Sequence, residues 1–236
     1  MLQANSLHIG FQQKLFEVEK LSIEPGQLVV LVGANGAGKT SFINTVLGIH
    51  KPLKGQLTFD NKSISDYSAK EKLRLFSHVA SKFDGLSYLS VKEYVGLGRT
   101  PYTNLIHRIT NKDEQIITST LKKVGIQHLE NRSTSELSDG ERQMASIAKA
   151  LCQETKMILL DEPTAFLDYP NRLKIMQLLY NIAHEENKII LLTSHELSLS
   201  IKYSDVILGI QKRNKKLLPF TNIQNENELI GKVFES

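Results

Sequence analysis

A glycine-rich segment at residues 33–40, with the sequence GANGAGKT, could bind the phosphates of a nucleotide. It matches the pattern G-x-x-x-x-G-K-[S/T], in which glycines permit a tight turn and let backbone N–H groups converge on an anion. Lys39 would supply a point charge to the β- and γ-phosphates, and the Thr40 hydroxyl suits Mg²⁺, which prefers oxygen ligands. An ordinary glycine-rich turn with a surface lysine is the alternative. The residues predicted to bind the nucleotide here are Gly33, Ala34, Asn35, Gly36, Ala37, Gly38, Lys39, Thr40 and Ser41.

Two carboxylates, Asp161 and Glu162, follow a short apolar run at residues 157–160 that predicts a buried strand. Parallel sheets bind their ligands at the carboxyl ends of the strands. We therefore expect Asp161 to meet the Mg²⁺ held by Thr40, directly or through water. We expect Glu162 to orient and polarise a water molecule for attack on the γ-phosphate. The alternative, a pair of solvated loop carboxylates, explains neither the preceding strand nor the glycine-rich segment.

A histidine, His195, follows the next predicted strand at residues 188–193. In that position an imidazole could donate a hydrogen bond to the γ-phosphate or help to orient the attacking water. A histidine that is satisfied within its own loop is the alternative. Its place after a core strand favours a role in catalysis.

The segment Leu-Ser-Asp-Gly-Glu at residues 137–141 precedes a run of apolar residues at helical spacing. Ser138 and Glu141 have the spacing of a capping box, which would start a helix in any protein. The positive end of a helix, with a serine and with Gly140 allowing close approach, also suits an anion. The structural and the functional interpretation are therefore compatible.

The elements around these residues alternate in a way that predicts an α/β fold with a mostly parallel sheet. An apolar run at residues 28–32 predicts the strand before the glycine-rich segment, and residues 41–47 have helical spacing. Residues 6–27 predict an antiparallel pair of strands, and the pattern is helical from about residue 90 to residue 153. We predict one composite domain, with an antiparallel β part and nucleotide-binding core at about residues 1–80 and 154–236 and a helical insertion at about residues 82–153.

The composition is that of an ordinary globular protein, since 41% of its 236 residues are hydrophobic and 23% are charged. A single cysteine, Cys152, excludes an intramolecular disulfide framework and fits a reducing compartment. No segment approaches the length of a membrane span, and the first residues lack signal-peptide features, so we expect a cytoplasmic protein. The net charge of +4 is too small to decide between partners. We expect the basic run at residues 212–216 to form a solvated hairpin turn; a nucleic-acid patch is the alternative.

Taken in order, these motifs resemble those of the ATP-binding-cassette (ABC) ATPases over nearly the whole chain. Residues 33–40 resemble Walker A and residues 157–162 resemble Walker B. Residues 137–141 resemble the signature motif, normally LSGGQ, from which Asp139 and Glu141 depart. Further resemblances lie at residues 165–168 (AFLD, the D-loop, with Asp168), at His195 (the switch histidine) and at Phe11 (an aromatic that stacks on adenine).

This resemblance implies a P-loop NTPase core of RecA-like fold that hydrolyses ATP with Mg²⁺. In the family, two cassettes form a head-to-tail dimer, and each ATP lies between Walker A of one copy and the signature helix of the other. It therefore implies a homodimer, in which Ser138, Gly140 and Glu141 approach the ATP bound at Lys39 of the other copy.

One position departs from the family in a way that bears on coupling. Aligning residues 76–80 with the strand that leads into the helical insertion places Ser81 where the family has the Q-loop glutamine. That glutamine contacts Mg²⁺ or the attacking water and senses the membrane partner. Since serine is too short to reach as far, our hypothesis is that another group or a water takes this role and that the coupling is altered.

Residues 91–102 resemble a stretch of importer cassettes for iron–siderophores, haem and cobalamin. Gly98 and Pro101 are expected to mark a helix end there. The resemblance implies permease subunits that contact this surface, an extracytoplasmic solute-binding protein that acts through them, and a location on the inner face of the cell membrane. No nucleic-acid partner is expected. The alternative is a soluble mechanical ATPase that acts on nucleic acid, ribosomes or cofactor assembly, with the basic balance as its support.

Overall fold

The computed structural model describes residues 1–83, 88–103, 109–165 and 167–235. In these residues, ten strands form one sheet, and no helix is long and apolar enough to cross a membrane. The strands are β1 (Leu2–Gly10), β2 (Lys14–Ile23), β3 (Leu28–Gly33), β4 (Lys54–Phe59), β5 (Lys62–Ser63), β6 (Phe76–Val79), β7 (Met157–Leu160), β8 (Ile189–Thr193), β9 (Val206–Gln211) and β10 (Lys216–Phe220). The α-helices are α1 (Lys39–Val46), α2 (Ala69–Leu75), α3 (Val91–Gly96), α4 (Asn111–Val124), α5 (Asp139–Cys152), α6 (Tyr169–Glu185), α7 (Leu197–Tyr203) and α8 (Glu226–Val233).

The sheet has a parallel part and an antiparallel part, in the strand order β5-β4-β1-β2-β10-β9-β3-β8-β7-β6. Strands β9, β3, β8, β7 and β6 are parallel to one another. Strands β2, β1, β4 and β5 pair in antiparallel fashion. The predicted α/β class, with an antiparallel N-terminal part, is confirmed. Since β3, β7 and β8 run in the same direction, their carboxyl ends lie at one edge of the sheet.

The central strand β3 is buried along its whole length, and its side chains alternate between the two faces of the sheet. Val29 and Leu31 pack with the α1 residue Phe42 on one face. Val30 and other β3 side chains pack with the α6 residue Leu179 on the opposite face. Burying each such side chain contributes roughly 1.5–3 kcal/mol, so the core holds the strand that ends in the glycine-rich segment firmly in place.

The helices α3, α4 and α5 pack on one another around a separate apolar cluster that includes Val91, Tyr94, Leu121 and Ala148. The helical pattern predicted between residues 90 and 153 is therefore present in the described part of that segment. Four helices of the described chain, α2 to α5, begin with a reciprocal capping box. Such caps each contribute about 1 kcal/mol, which matters for short helices.

The helix end expected near Gly98 and Pro101 consists of the end of α3 and a 3₁₀ helix that follows it. Helix α3 ends at Gly96, and a 3₁₀ helix continues through Leu97–Tyr102. Gly98 lies against α5 so closely that a Cβ atom there would be 2.4 Å from the carbonyl oxygen of Lys149. The neighbouring Arg99 is buried and donates hydrogen bonds to Asp113 of α4 and to the carbonyl oxygen of Cys152 of α5, both at 2.8 Å. The 3₁₀ helix thus fixes α4 and α5 relative to each other.

The basic run near the C-terminus lies at a hairpin, as expected. Strand β10 pairs with β9 in antiparallel fashion, with Lys216 opposite Gln211. The intervening residues 212–215 form the exposed turn.

We predict that Gly98→Ala will lower the free energy of unfolding by about 1–3 kcal/mol, because the added methyl group overlaps the backbone of α5. Gly231→Ala is the matched control, because Gly231 lies in α8 and a Cβ atom added there would have its nearest neighbour at 3.8 Å. That control should raise stability by about 0.4–1 kcal/mol. Urea unfolding followed by circular dichroism measures both changes. Equal midpoints for Gly98→Ala and the unmodified chain would contradict the close packing of Gly98 on α5.

Candidate active site

The glycine-rich segment joins the end of β3 to the start of α1, which is the context that its sequence predicted. Gly36 and Gly38 have φ values of +72° and +105°, in the region that favours glycine. At Gly38 a Cβ atom would also lie 3.0 Å from the ring of Phe16. The segment borders a cavity of about 270 Å³, lined by residues 35–41 together with Leu15 and Glu162. This is space for a phosphate chain at the N-terminus of a helix.

Lys39 is the first residue of α1 and lines this cavity, although the residue is only 7% exposed. Its Nζ atom donates to the carbonyl oxygen of Gly33 at 3.0 Å and lies 3.3 Å from Nε2 of His195. Burial lowers the pKa of Lys39, and the nearby carboxylates of Glu162 and Asp161 oppose that shift. A partly desolvated cation of this kind gains from an anion that enters the cavity.

Asp161 is buried and receives two hydrogen bonds from hydroxyl groups. Thr40 donates to its Oδ2 at 2.9 Å, and Thr193 donates to its Oδ1 at 2.7 Å. The sequence predicted that Asp161 would meet the Mg²⁺ held by Thr40, and the structure brings the two side chains together. A hydroxyl and a carboxylate this close fit Mg²⁺, which takes one or two carboxylates and completes its shell with phosphate oxygens and water. Among the described residues no group of three or more His, Cys, Asp or Glu side chains could hold a metal by itself.

Glu162 and His195 form a direct pair, with Oε1 of Glu162 2.8 Å from Nε2 of His195. The backbone of Glu162 has a φ value of +51°, a strained conformation for a residue with a side chain. Its N–H donates to Oγ1 of Thr193 at 2.8 Å, which holds the turn in place. The predicted base and the predicted switch histidine are thus in contact, and the same imidazole reaches Lys39.

Thr193 is the residue that sequence reasoning missed. It is fully buried at the end of β8, where it donates to Asp161 and accepts from the backbone of Glu162. The sheet register explains this position, because Leu192 lies opposite Leu160 of β7, one residue before Asp161. A hydroxyl at the end of an otherwise apolar strand was the available signal.

Other predicted site residues lie elsewhere. Phe11 is 61% exposed and stacks edge-to-face on His50, with ring centroids 4.7 Å apart. Ser138 caps α5, and neither Ser138 nor Gly140 is among the described residues that line the cavity. Asp168 caps α6 by accepting from the N–H of Asn171 at 3.0 Å.

Two further positions complete the set of sequence expectations. Phe166, within the segment that resembles the D-loop, lies outside the described residues. Ser81 follows the end of β6 and is partly buried. The carbonyl oxygen of Val79, two residues earlier, accepts from the N–H of Asp161 at 2.8 Å, so Ser81 comes just after the strand end that contacts the acidic turn.

We predict that Thr193→Val will lower ATP turnover by about tenfold or more, because Asp161 loses a donor and the Glu162 turn loses its support. The free energy of unfolding should fall by about 1–3 kcal/mol. Thr155→Val is the matched control. Thr155 lies just before the start of β7, is also buried, and donates a hydrogen bond to Ser77 at 3.0 Å. It should lose similar stability and keep its turnover. Steady-state ATPase assays distinguish the two, and normal turnover in Thr193→Val would contradict this assignment.

Comparison of the sequence with known proteins identifies a family whose members bind ATP. Residues 17–165 match the family model described as ABC transporter. The petrobactin import ATP-binding protein FpuD of Bacillus anthracis is 32% identical over 90% of this chain and 78% of that protein. The ferric enterobactin transport ATP-binding protein FepC of Escherichia coli is 30% identical over 89% of this chain and 78% of that protein.

Solved structures give the same result at the level of the fold. A structure described as an inward-facing conformation of an ABC transporter of the metal-chelate type superposes with a TM-score of 0.82. It is 27% identical, and the alignment covers 97% of this chain and 87% of that one. The fold is therefore that of an ABC cassette with a P-loop NTPase core. From the matched motifs, the geometry of the site and these relatives together, the chain belongs to the ABC transporter family and is an ATP-hydrolysing subunit of that family.

Proposed function

We propose that this chain is the ATPase subunit of an importer that takes up a metal chelate, an iron–siderophore, haem or cobalamin, through a membrane permease. The observation that carries the ATPase chemistry is the contact between Glu162 and His195 beside the buried Lys39. The metal-chelate class is supported by relatives named for petrobactin and ferric enterobactin transport.

The described side chains have separate tasks in this proposal. Lys39 and the backbone N–H groups of the glycine-rich segment bind the phosphates of ATP. Thr40 and Asp161 would hold Mg²⁺, which would neutralise charge on the phosphates. Glu162 orients the water for in-line attack, and His195 donates to the γ-phosphate as the Glu162 pair rearranges.

A second copy of the chain completes each site in this proposal. The support is that Ser138 and Gly140 do not line the cavity beside the glycine-rich segment of their own chain, as far as the described residues show. The glycine-rich segment lies at the N-terminus of α1, and Ser138 and Gly140 lie at the N-terminus of α5. Helix N-termini bind anions. A head-to-tail homodimer would place Ser138, Gly140 and Glu141 of one copy on ATP bound at Lys39 of the other, with Asp168 near the interface and Phe11 on the adenine.

We place the permease on the surface around α3 and the 3₁₀ helix that follows it. A groove of about 600 Å³ lies there, lined by side chains that include Lys92, Leu97, Ile109 and Ile117. Leu97 is partly exposed, so it offers an apolar contact to a partner. On this proposal the helical insertion spans about residues 82–153, and the subunit sits peripherally on the cytoplasmic face of the membrane. A solute-binding protein outside the membrane would act only through the permease.

We predict that Glu162→Gln will bind ATP, lose turnover by about 10²–10⁴-fold and accumulate as a dimer, because the amide cannot accept the proton of the attacking water. Glu185→Gln, an exposed carboxylate on α6, is the control and should behave as the unmodified chain. ATPase assays and sedimentation velocity with and without ATP measure both properties. Turnover by Glu162→Gln at the normal rate would contradict the role of Glu162.

Affinity purification of the tagged chain from detergent-solubilised membranes tests the transport role. We expect an integral-membrane protein to co-purify, and to be lost when Leu97→Asp places a charge in the groove. Gln177→Asp on the exposed face of α6 is the matched control. Co-purification of nucleic acid or ribosomes without a membrane protein would instead support a soluble mechanical ATPase.

A further inference from the structure

The first turn of α5 contains an interaction that the proposed reaction does not use. The N–H and the hydroxyl of Ser138 both donate to one carboxylate oxygen of Glu141, each at 2.8 Å. In return, the Ser138 hydroxyl accepts from the N–H of Glu141 at 3.3 Å. The serine that would bind a phosphate therefore already directs its hydrogen to a carboxylate of its own chain.

The charges around this turn strengthen that arrangement. Arg132 lies 3.5 Å from the Glu141 carboxylate. The hydrogen bonds from Ser138 lower the pKa of Glu141, and Arg132 and His128 add to that effect, so the group is charged at neutral pH. Asp139, 71% exposed at its side chain, adds a second carboxylate, paired with Arg142 at 3.2 Å. Two negative groups thus occupy the positive end of the helix.

We propose that Glu141 is an intramolecular latch, in which its carboxylate occupies the donors of Ser138 and must release them before α5 can bind the γ-phosphate of ATP held by a second copy of the chain. This inference rests on the head-to-tail dimer of the proposed function. The latch makes the free energy of dimer closure less favourable, because closure must break charge-assisted hydrogen bonds and bring a phosphate close to a carboxylate. The latch holds the nucleotide-bound chain open until the protein concentration, or a partner, favours closure.

A second capping box in the same chain separates this role from simple helix capping. On α2 the N–H of Ser68 donates to Glu71 at 2.7 Å, and the N–H of Glu71 donates back to Ser68 at 3.3 Å. Glu71 also has a neighbouring cation, Lys62, at 3.1 Å. Both boxes pair a serine N–H with a glutamate that has a neighbouring cation, but only the α5 box lies in the signature segment. Glutamine preserves a capping box at either position, so both substitutions keep the helix start.

The experiment measures the dimer dissociation constant by sedimentation velocity at saturating ATP and Mg²⁺, in chains that carry Glu162→Gln so that the dimer persists. Adding Glu141→Gln should tighten the dimer by roughly tenfold, because a neutral amide oxygen holds the Ser138 donors less strongly than a carboxylate does and does not repel the phosphate. Adding Glu71→Gln should leave the dissociation constant unchanged. Both substitutions should lower the thermal midpoint by a similar small amount, since both weaken a cap.

Three results would overturn the inference, and they differ in what else they overturn. An ATP-dependent dimer whose affinity is unchanged or weakened by Glu141→Gln removes the latch and leaves the proposed function standing. Tightening by Glu71→Gln to the same degree removes it as well, because the effect is then one of capping. If no chain forms an ATP-dependent dimer, including the chain that carries only Glu162→Gln, the head-to-tail dimer and the latch are both overturned.

Discussion

The hydrogen-bonded register of β3, β8 and β7 determines where each charged group of the site lies. Leu31 of β3 pairs with Thr193 of β8, and Leu192 pairs with Leu160 of β7. Because the three strands are parallel, the glycine-rich segment, Thr193 and the acidic turn all emerge at one edge of the sheet. A shift of one residue would send the side chains of a strand to the opposite face, so the apolar packing that fixes the register also positions the groups of the candidate site.

The site combines buried charge with incomplete neutralisation. Lys39 has lost most of its contact with water, and its direct partners are a carbonyl oxygen and an imidazole. The Asp161 carboxylate accepts from two hydroxyl groups. Such groups are costly to bury without an opposite charge in contact, and a Mg²⁺–nucleotide would supply both signs at once. The folded chain therefore contains a site whose electrostatics are completed by the ligand.

Helix N-termini have two uses in this chain. At α1 the glycine-rich segment leaves the first turn free of acidic side chains, which suits a phosphate. At α5 the first turn carries Asp139 and Glu141, and its capping box stabilises the helix. The N-terminus of α1 thus suits a ligand, whereas that of α5 holds a side chain of its own protein. Competition between these two uses is the physical basis of the proposed latch.

The sequence by itself determined the fold class, the strands that precede the glycine-rich and acidic segments, and the pairing of Thr40 with Asp161, because these depend on local spacing and on the direction of parallel strands. It also identified the family from several motifs in order. The spacing of Ser138 and Glu141 likewise predicted the capping box that begins α5. Tertiary structure alone decided that Thr193 supports the acidic turn and that Gly98 and Arg99 join the 3₁₀ helix to α5. These features depend on contacts between residues distant in sequence, and no local pattern encodes such contacts.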